Sequence, residues 1–94
     1  MRPTYTTNIF GANSKVTVQN ISTLHTPSTD ITRLRLYSDV DCRIALGANP
    51  QADSNSVFIP AGIIEYITTR RGWSIAVIRD GAEDGTLEVT EVTG

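Results

Sequence analysis

Leu34-Arg35-Leu36-Tyr37-Ser38-Asp39-Val40-Asp41-Cys42-Arg43-Ile44-Ala45-Leu46 is the stretch that decides the fold. Apolar and polar residues alternate up to Tyr37, turn-forming residues interrupt at Asp39 to Asp41, and the alternation resumes from Cys42. Side chains on a strand point alternately to its two faces, so a period of two on both sides of a short break reads as two β-strands. The simplest pairing joins residues 32–38 to residues 41–46 as a hairpin across Asp39-Val40. Leu34, Leu36, Cys42, Ile44 and Leu46 then share the buried face, and Arg33, Arg35, Tyr37 and Arg43 face outward.

The same rhythm continues in both directions, with no helical period anywhere. Residues 15–20 alternate around Val16 and Val18, and residues 22–30, with Pro27 among small hydroxyl residues, read as an exposed loop. Beyond Leu46 comes a polar loop over residues 47–56. Strand character returns at Val57-Phe58-Ile59, turns at Pro60-Ala61-Gly62 and continues over residues 63–68. Arg70-Arg71-Gly72 forms a further turn. Residues 73–78 are the most apolar segment and are expected at the centre of a sheet, covered on both faces, with Trp73 in the core. An acidic loop over residues 80–85 leads to a last strand, residues 86–92, with Leu87 and Val89 inward. About seven short strands at this spacing predict a small antiparallel β-sandwich, with jelly-roll and Ig-like topologies both open.

Residues 1–13 differ in composition. They are rich in Thr and Asn, with Tyr5, Ile9 and Phe10 at irregular spacing before the break at Gly11. They are read as an extended N-terminal arm ahead of a single domain, residues 14–94. Large apolar side chains without a face of their own are expected to find burial on a neighbouring subunit. The competing expectation is that the arm folds back as an extra edge strand of its own domain.

Size and charge narrow the function classes. A chain of 94 residues buries only about 60 to 65% of its unfolded surface, and a single cysteine supplies no disulfide framework, so self-association is expected, as a trimer or a dimer. A net charge of −2 lacks the basic footprint of a nucleic-acid binder. The run near Ile63 is broken at Glu65, well short of the ~18 apolar residues of a membrane helix, and no signal-peptide pattern follows Met1, so neither membrane nor export is expected.

No residue set carries recognisable chemistry. His25, the lone histidine, falls in the loop with no nucleophile motif beside it. Cys42 alternates with Ile44 and reads as a small buried hydrophobe. One histidine and one cysteine cannot make a zinc site, and Asp80, Glu83 and Asp84 lack the spacing of a calcium loop and read as a solvated turn. The expectation is no enzyme, no cofactor and no metal. All but one of the basic residues are arginine, a side chain favoured at interfaces, and Arg70-Arg71 in a turn is the pair that strand alternation does not require. Tyr5, Ile9, Phe10, Arg70 and Arg71 are therefore the candidate partner-binding residues.

The run from Leu34 to Ala52, then Phe58-Ile59-Pro60-Ala61-Gly62, Ile75-Ala76-Val77-Ile78 and Gly85-Thr86-Leu87-Glu88-Val89-Thr90-Glu91-Val92, resembles small virion proteins of tailed bacteriophages, over roughly residues 31 to 93. The resemblance implies a capsid cement or decoration protein: a β-sandwich made in the host cytoplasm that binds the phage head surface, bridges capsid subunits and reinforces the shell. A head-to-tail connector, collar or fibre-associated protein is the alternative within virions. From another class, a carbohydrate-binding β-sandwich would use Trp73 and Tyr66 as its stacking platform.

Overall fold

The computed structural model describes residues 9–93. The described residues form eight strands and no helix: β1 (Ile9–Val18), β2 (Thr23–His25), β3 (Arg33–Ser38), β4 (Cys42–Gly47), β5 (Val57–Ile59), β6 (Glu65–Thr68), β7 (Ser74–Arg79) and β8 (Gly85–Thr93). They build two antiparallel four-stranded sheets, sheet A in the order β1-β8-β3-β6 and sheet B in the order β2-β7-β4-β5. The chain doubles back at the β4–β5 loop, so that β1 pairs with β8, β2 with β7, β3 with β6 and β4 with β5. Pairing of β8 with β3 and of β7 with β4 then closes each sheet. Every connection except β4 to β5 crosses between the sheets. That is jelly-roll connectivity, and it resolves the two topologies left open by the sequence.

The inner faces meet in one core of Val16, Val18, Leu34, Leu36, Cys42, Ile44, Ile75, Val77, Leu87 and Val89, with Ile31 and Ile59 at its margins. β7 lies between β2 and β4 and is buried from Ser74 to Val77, in keeping with its unbroken apolar sequence.

Several sequence expectations need correction. β3 and β4 are not a hairpin: they belong to opposite sheets and pair with each other nowhere. Both edges of β3 are taken by β6 and β8, and both edges of β4 by β5 and β7. The inward set is nevertheless as expected, because Leu34 and Leu36 face Cys42 and Ile44 across the core instead of lying beside them. The segment read as a loop around His25 contains β2, whose residues pair with Ile75 to Val77. The first strand starts at Ile9 and ends at Val18, with an irregularity between Phe10 and Asn13. Residues 9–13 are thus strand, their backbone held by β8, while residues 1–8 of the expected arm lie outside the described residues. Trp73 precedes β7 and is only half-buried.

The crossing from β3 to β4 is a corner tied from four directions. Asp39 N–H donates to Thr86 O (3.3 Å), and the Asp39 carboxylate accepts from Thr86 N–H (2.8 Å). Ser38 O accepts from Gly62 N–H (2.9 Å), Asp41 Oδ1 accepts from Ala61 N–H (2.8 Å), and Asp41 O accepts from Asp80 N–H (3.0 Å). The Ser38 hydroxyl, fully buried, donates to Val40 O (2.6 Å). Gly85 lies directly beneath this corner. A Cβ there would collide with the Asp39 carboxylate and come within 2.6 Å of Val40 Cγ2. Gly85→Ala is therefore expected to destabilise the fold by about 1 to 3 kcal/mol through overpacking and loss of the Asp39 contact, read as a lower urea midpoint at unchanged m-value.

Candidate functional site

The two sides of the sandwich differ. On one side, edge strands β1 and β2 pack against each other across the layers. On the other, edge strands β5 and β6 leave a groove of about 550 Å³ between them, lined by Ile44, Leu46, Val57, Ile59, Ile67 and the rim residues Glu65 and Thr68, among others. Val57, paired with Ile44, takes the inward phase of β5 yet is 64% exposed because no strand covers it. Phe58 and Tyr66 stand on the outer faces of the two edge strands, and Ile63 and Ile64 sit exposed in the connection between them. This side thus combines unpaired strand edges with contiguous apolar side chains, the combination that natural sheets ordinarily cover or charge.

The connection from β5 to β6 is shaped by Pro60 and by Gly62, whose φ of 78° is the left-handed conformation open to glycine. Its backbone is anchored at the corner through Ala61 and Gly62, so Ile63 and Ile64 are held outward by a fixed loop. Sequence reasoning assigned residues 63–68 to a strand and overlooked the exposure. The available signal was the loss of alternation: Val57-Phe58-Ile59 and Ile63-Ile64 place apolar residues on consecutive positions of short segments, which two-sided burial would require and an edge does not supply.

The charged residues are largely committed inside the fold. Arg43, on the outer face of sheet B, bonds Asp80 Oδ1 (2.7 Å) and Ser56 O (3.0 Å), and its guanidinium lies 5.4 Å from the Phe58 ring centroid. Arg79 bonds Asp84 (2.6 Å), and Glu91 accepts from both Ser28 N–H (2.8 Å) and the Ser28 hydroxyl (3.0 Å). Asp80 and Asp84 therefore face cations of the chain itself. Among the described residues, no three His, Cys, Asp or Glu side chains gather in a metal-holding arrangement. His25 stands in β2, opposite Ile75.

The expected partner-binding residues do not form one patch. Ile9 and Phe10 are both more than half exposed at the start of β1, on the far edge of sheet A from the groove, with the Arg35 guanidinium 5.9 Å from the Phe10 ring. Arg70 lies over the Trp73 ring (5.4 Å) within the turn after β6, and Arg71 is exposed beside it. Tyr5 lies outside the described residues. Thr69, just past β6, is buried at 5% exposure, and its buried hydroxyl has no hydrogen-bond partner among the described residues.

Cys42 is fully buried against the core. Burial pushes its thiol above the ordinary value of 9.0, the nearby Asp41 and Asp80 carboxylates push the same way, and a Ser38 hydrogen bond opposes them. No family model matches the chain, and no curated protein or solved structure matches it at a significant level.

The raised thiol has a measurable consequence. Below the unfolded value both states hold the proton, and above it the unfolded chain releases the proton while the folded chain retains it, so folding stability should decline as pH rises past about 9. Cys42→Ser should flatten that part of the pH profile. In native protein at pH 8 the thiol should react with a disulfide reagent only as fast as the fold opens, and a rapid stoichiometric reaction would contradict its placement.

Proposed function

We propose that this chain is a non-enzymatic structural protein of a virion, a capsid cement or decoration protein that binds the surface of a tailed-bacteriophage head. The observation that carries the reading is the open β5–β6 side, where an apolar groove and unpaired strand edges lie together on a small jelly roll. A domain of this size gains stability and function together when such a side is covered by a partner. The internal commitment of Arg43, Arg79, Asp80 and Asp84 supports the same reading, since those side chains brace the fold and are not free to assemble a reactive centre. The likeness of residues 31 to 93 to small phage virion proteins supplies the particular class, and jelly rolls are a recurrent architecture of capsid domains.

The carbohydrate-binding alternative draws less support. One face of Trp73 is occupied by the Arg70 guanidinium, and Tyr66 stands on edge strand β6, apart from the turn that carries Trp73, so a ready stacking platform is absent from this pair.

Cryo-electron microscopy of purified particles from the source tests the proposal. Density for a 10.2 kDa β-sandwich is expected to repeat over the outer shell, and particles lacking the chain are expected to release their DNA at a lower temperature. Density confined to one ring at the tail vertex would replace the decoration role by a connector role. Recovery of the chain only outside particles would overturn the virion reading.

A further inference from the structure

We infer that the open β5–β6 side is covered by a second copy of this chain, the two β6 strands pairing edge to edge about a two-fold axis at Ile67 and joining the two A sheets into one. The inference rests on reading this side as an interaction surface, as proposed above, and it names the occupant.

The backbone sets the register. Thr69 N–H donates to Thr32 O at 2.8 Å, continuing the pairing of Ile67 with Leu34 and of Glu65 with Leu36. Successive residues of an antiparallel strand send their backbone groups to alternate sides, so Glu65, Ile67 and Thr69 face β3, while the N–H and C=O of Tyr66 and Thr68 point to the free edge. Two copies can exchange these bonds in only a few ways. Side-chain phase must also match across the junction, so the axis has to pass through a residue and not between two.

An axis through Tyr66 sets each Glu65 against the partner's Ile67, a carboxylate against an aliphatic side chain on the inward face. An axis through Ile67 sets Ile67 against the partner's Ile67, Tyr66 against the partner's Thr68, and Glu65 against the partner's Thr69. The second arrangement closes two reciprocal pairs of backbone hydrogen bonds between Tyr66 and Thr68. Glu65 then stands opposite the partner's Thr69, just past the end of β6, and not opposite an aliphatic side chain. An inward-pointing charge on an edge strand ordinarily blocks pairing, but in this register the two Glu65 carboxylates lie at the ends of the paired segment and the apolar Ile67 pair occupies its centre.

The open side supplies a substantial part of such an interface. Val57, Phe58, Ile63, Ile64 and Tyr66 are each between 42 and 64% exposed. Those on or next to β6 and the groove, Val57, Ile63, Ile64 and Tyr66, together expose roughly 350 to 400 Å² on each copy, about half of the ~800 Å² that each partner contributes to a stable interface, and the paired β6 backbones add to it. An isologous contact of this kind closes on itself and gives a dimer, the second of the two oligomers expected from the sequence.

Light scattering of the full chain at tens of micromolar should give the mass of two copies. Thr68→Pro removes an N–H that faces only the free edge, so it should retain the circular dichroism of the native fold and weaken association by about tenfold or more. Ile67→Pro, which removes a bond to β3, should damage the fold itself. Ile67→Cys should form an intermolecular disulfide under mild oxidation, because opposed residues of a non-hydrogen-bonded pair lie about 4.5 Å apart at Cα, within disulfide range. Tyr66→Cys should cross-link poorly, since it opposes the partner's Thr68. This cysteine pair keeps the test standing if Thr68→Pro fails to fold. A monomer at these concentrations, or efficient cross-linking of Tyr66→Cys without Ile67→Cys, would overturn the pairing. A chain that pairs but is absent from particles would overturn only the virion reading, and a monomer found on the head would overturn only the pairing.

Discussion

The corner at Asp39 to Asp41 is the constraint on which the rest of the molecule depends. In three residues the chain leaves sheet A for sheet B, and it can do so because the polar groups exposed by that crossing are satisfied from all sides. Thr86 holds Asp39, Ala61 and Asp80 hold Asp41, and Gly62 holds Ser38. Each bond contributes only about 0.5 to 1.5 kcal/mol net, and because Asp39 and Asp41 are exposed it is the convergence of several bonds on three residues that holds the corner. Because the other partners come from the β5–β6 and β7–β8 connections and Thr86 from the start of β8, the corner also fixes where those loops run. Gly85 is small because Asp39 and Val40 occupy the space that a side chain would need.

From that corner the asymmetry of the sandwich follows. Anchoring Ala61 and Gly62 at the corner carries the chain from β5 to β6 around one end of the core, leaving these short strands as the free edges of their sheets. With three and four residues they are too short to arch over the groove between them. On the opposite side the ten-residue β1 runs the length of β8 and meets β2, and that side is closed. The proposed interaction surface is thus a consequence of strand length and loop anchoring as much as of apolar composition.

The arginines illustrate how context decides the use of a side chain. Arg43 braces β4 to the loops before β5 and after β7 by bonding Ser56 and Asp80 and covering Phe58, a set of contacts that the fork of a guanidinium can make and an ammonium cannot. Arg70, singled out from sequence as an interface residue, is in contact with Trp73 of its own turn. An arginine-rich, lysine-poor surface is accounted for here in part by intramolecular bracing. Arg71, exposed and beside it, is the member of that pair left facing solvent.

What the sequence determined by itself was the all-β class and the inward set of side chains, because strand alternation is a local property of consecutive residues. Leu34, Leu36, Cys42, Ile44, Leu87 and Val89 were assigned to the core from alternation alone, and they are there. Partnership is not local. Alternation in β3 and β4 is satisfied equally by a hairpin or by two strands facing each other across a core, and only the tertiary bonds of Asp39 and Asp41 to distant loops select the second. The three-residue β2 was hidden for a related reason: a strand so short has no periodicity to read and exists only because Ala76 and its neighbours in β7 offer an edge. The open β5–β6 side lay beyond the sequence as well, since whether Val57 or Ile63 is covered depends on which strand lies next to it, and that is decided by the order in which the folded ribbon closes.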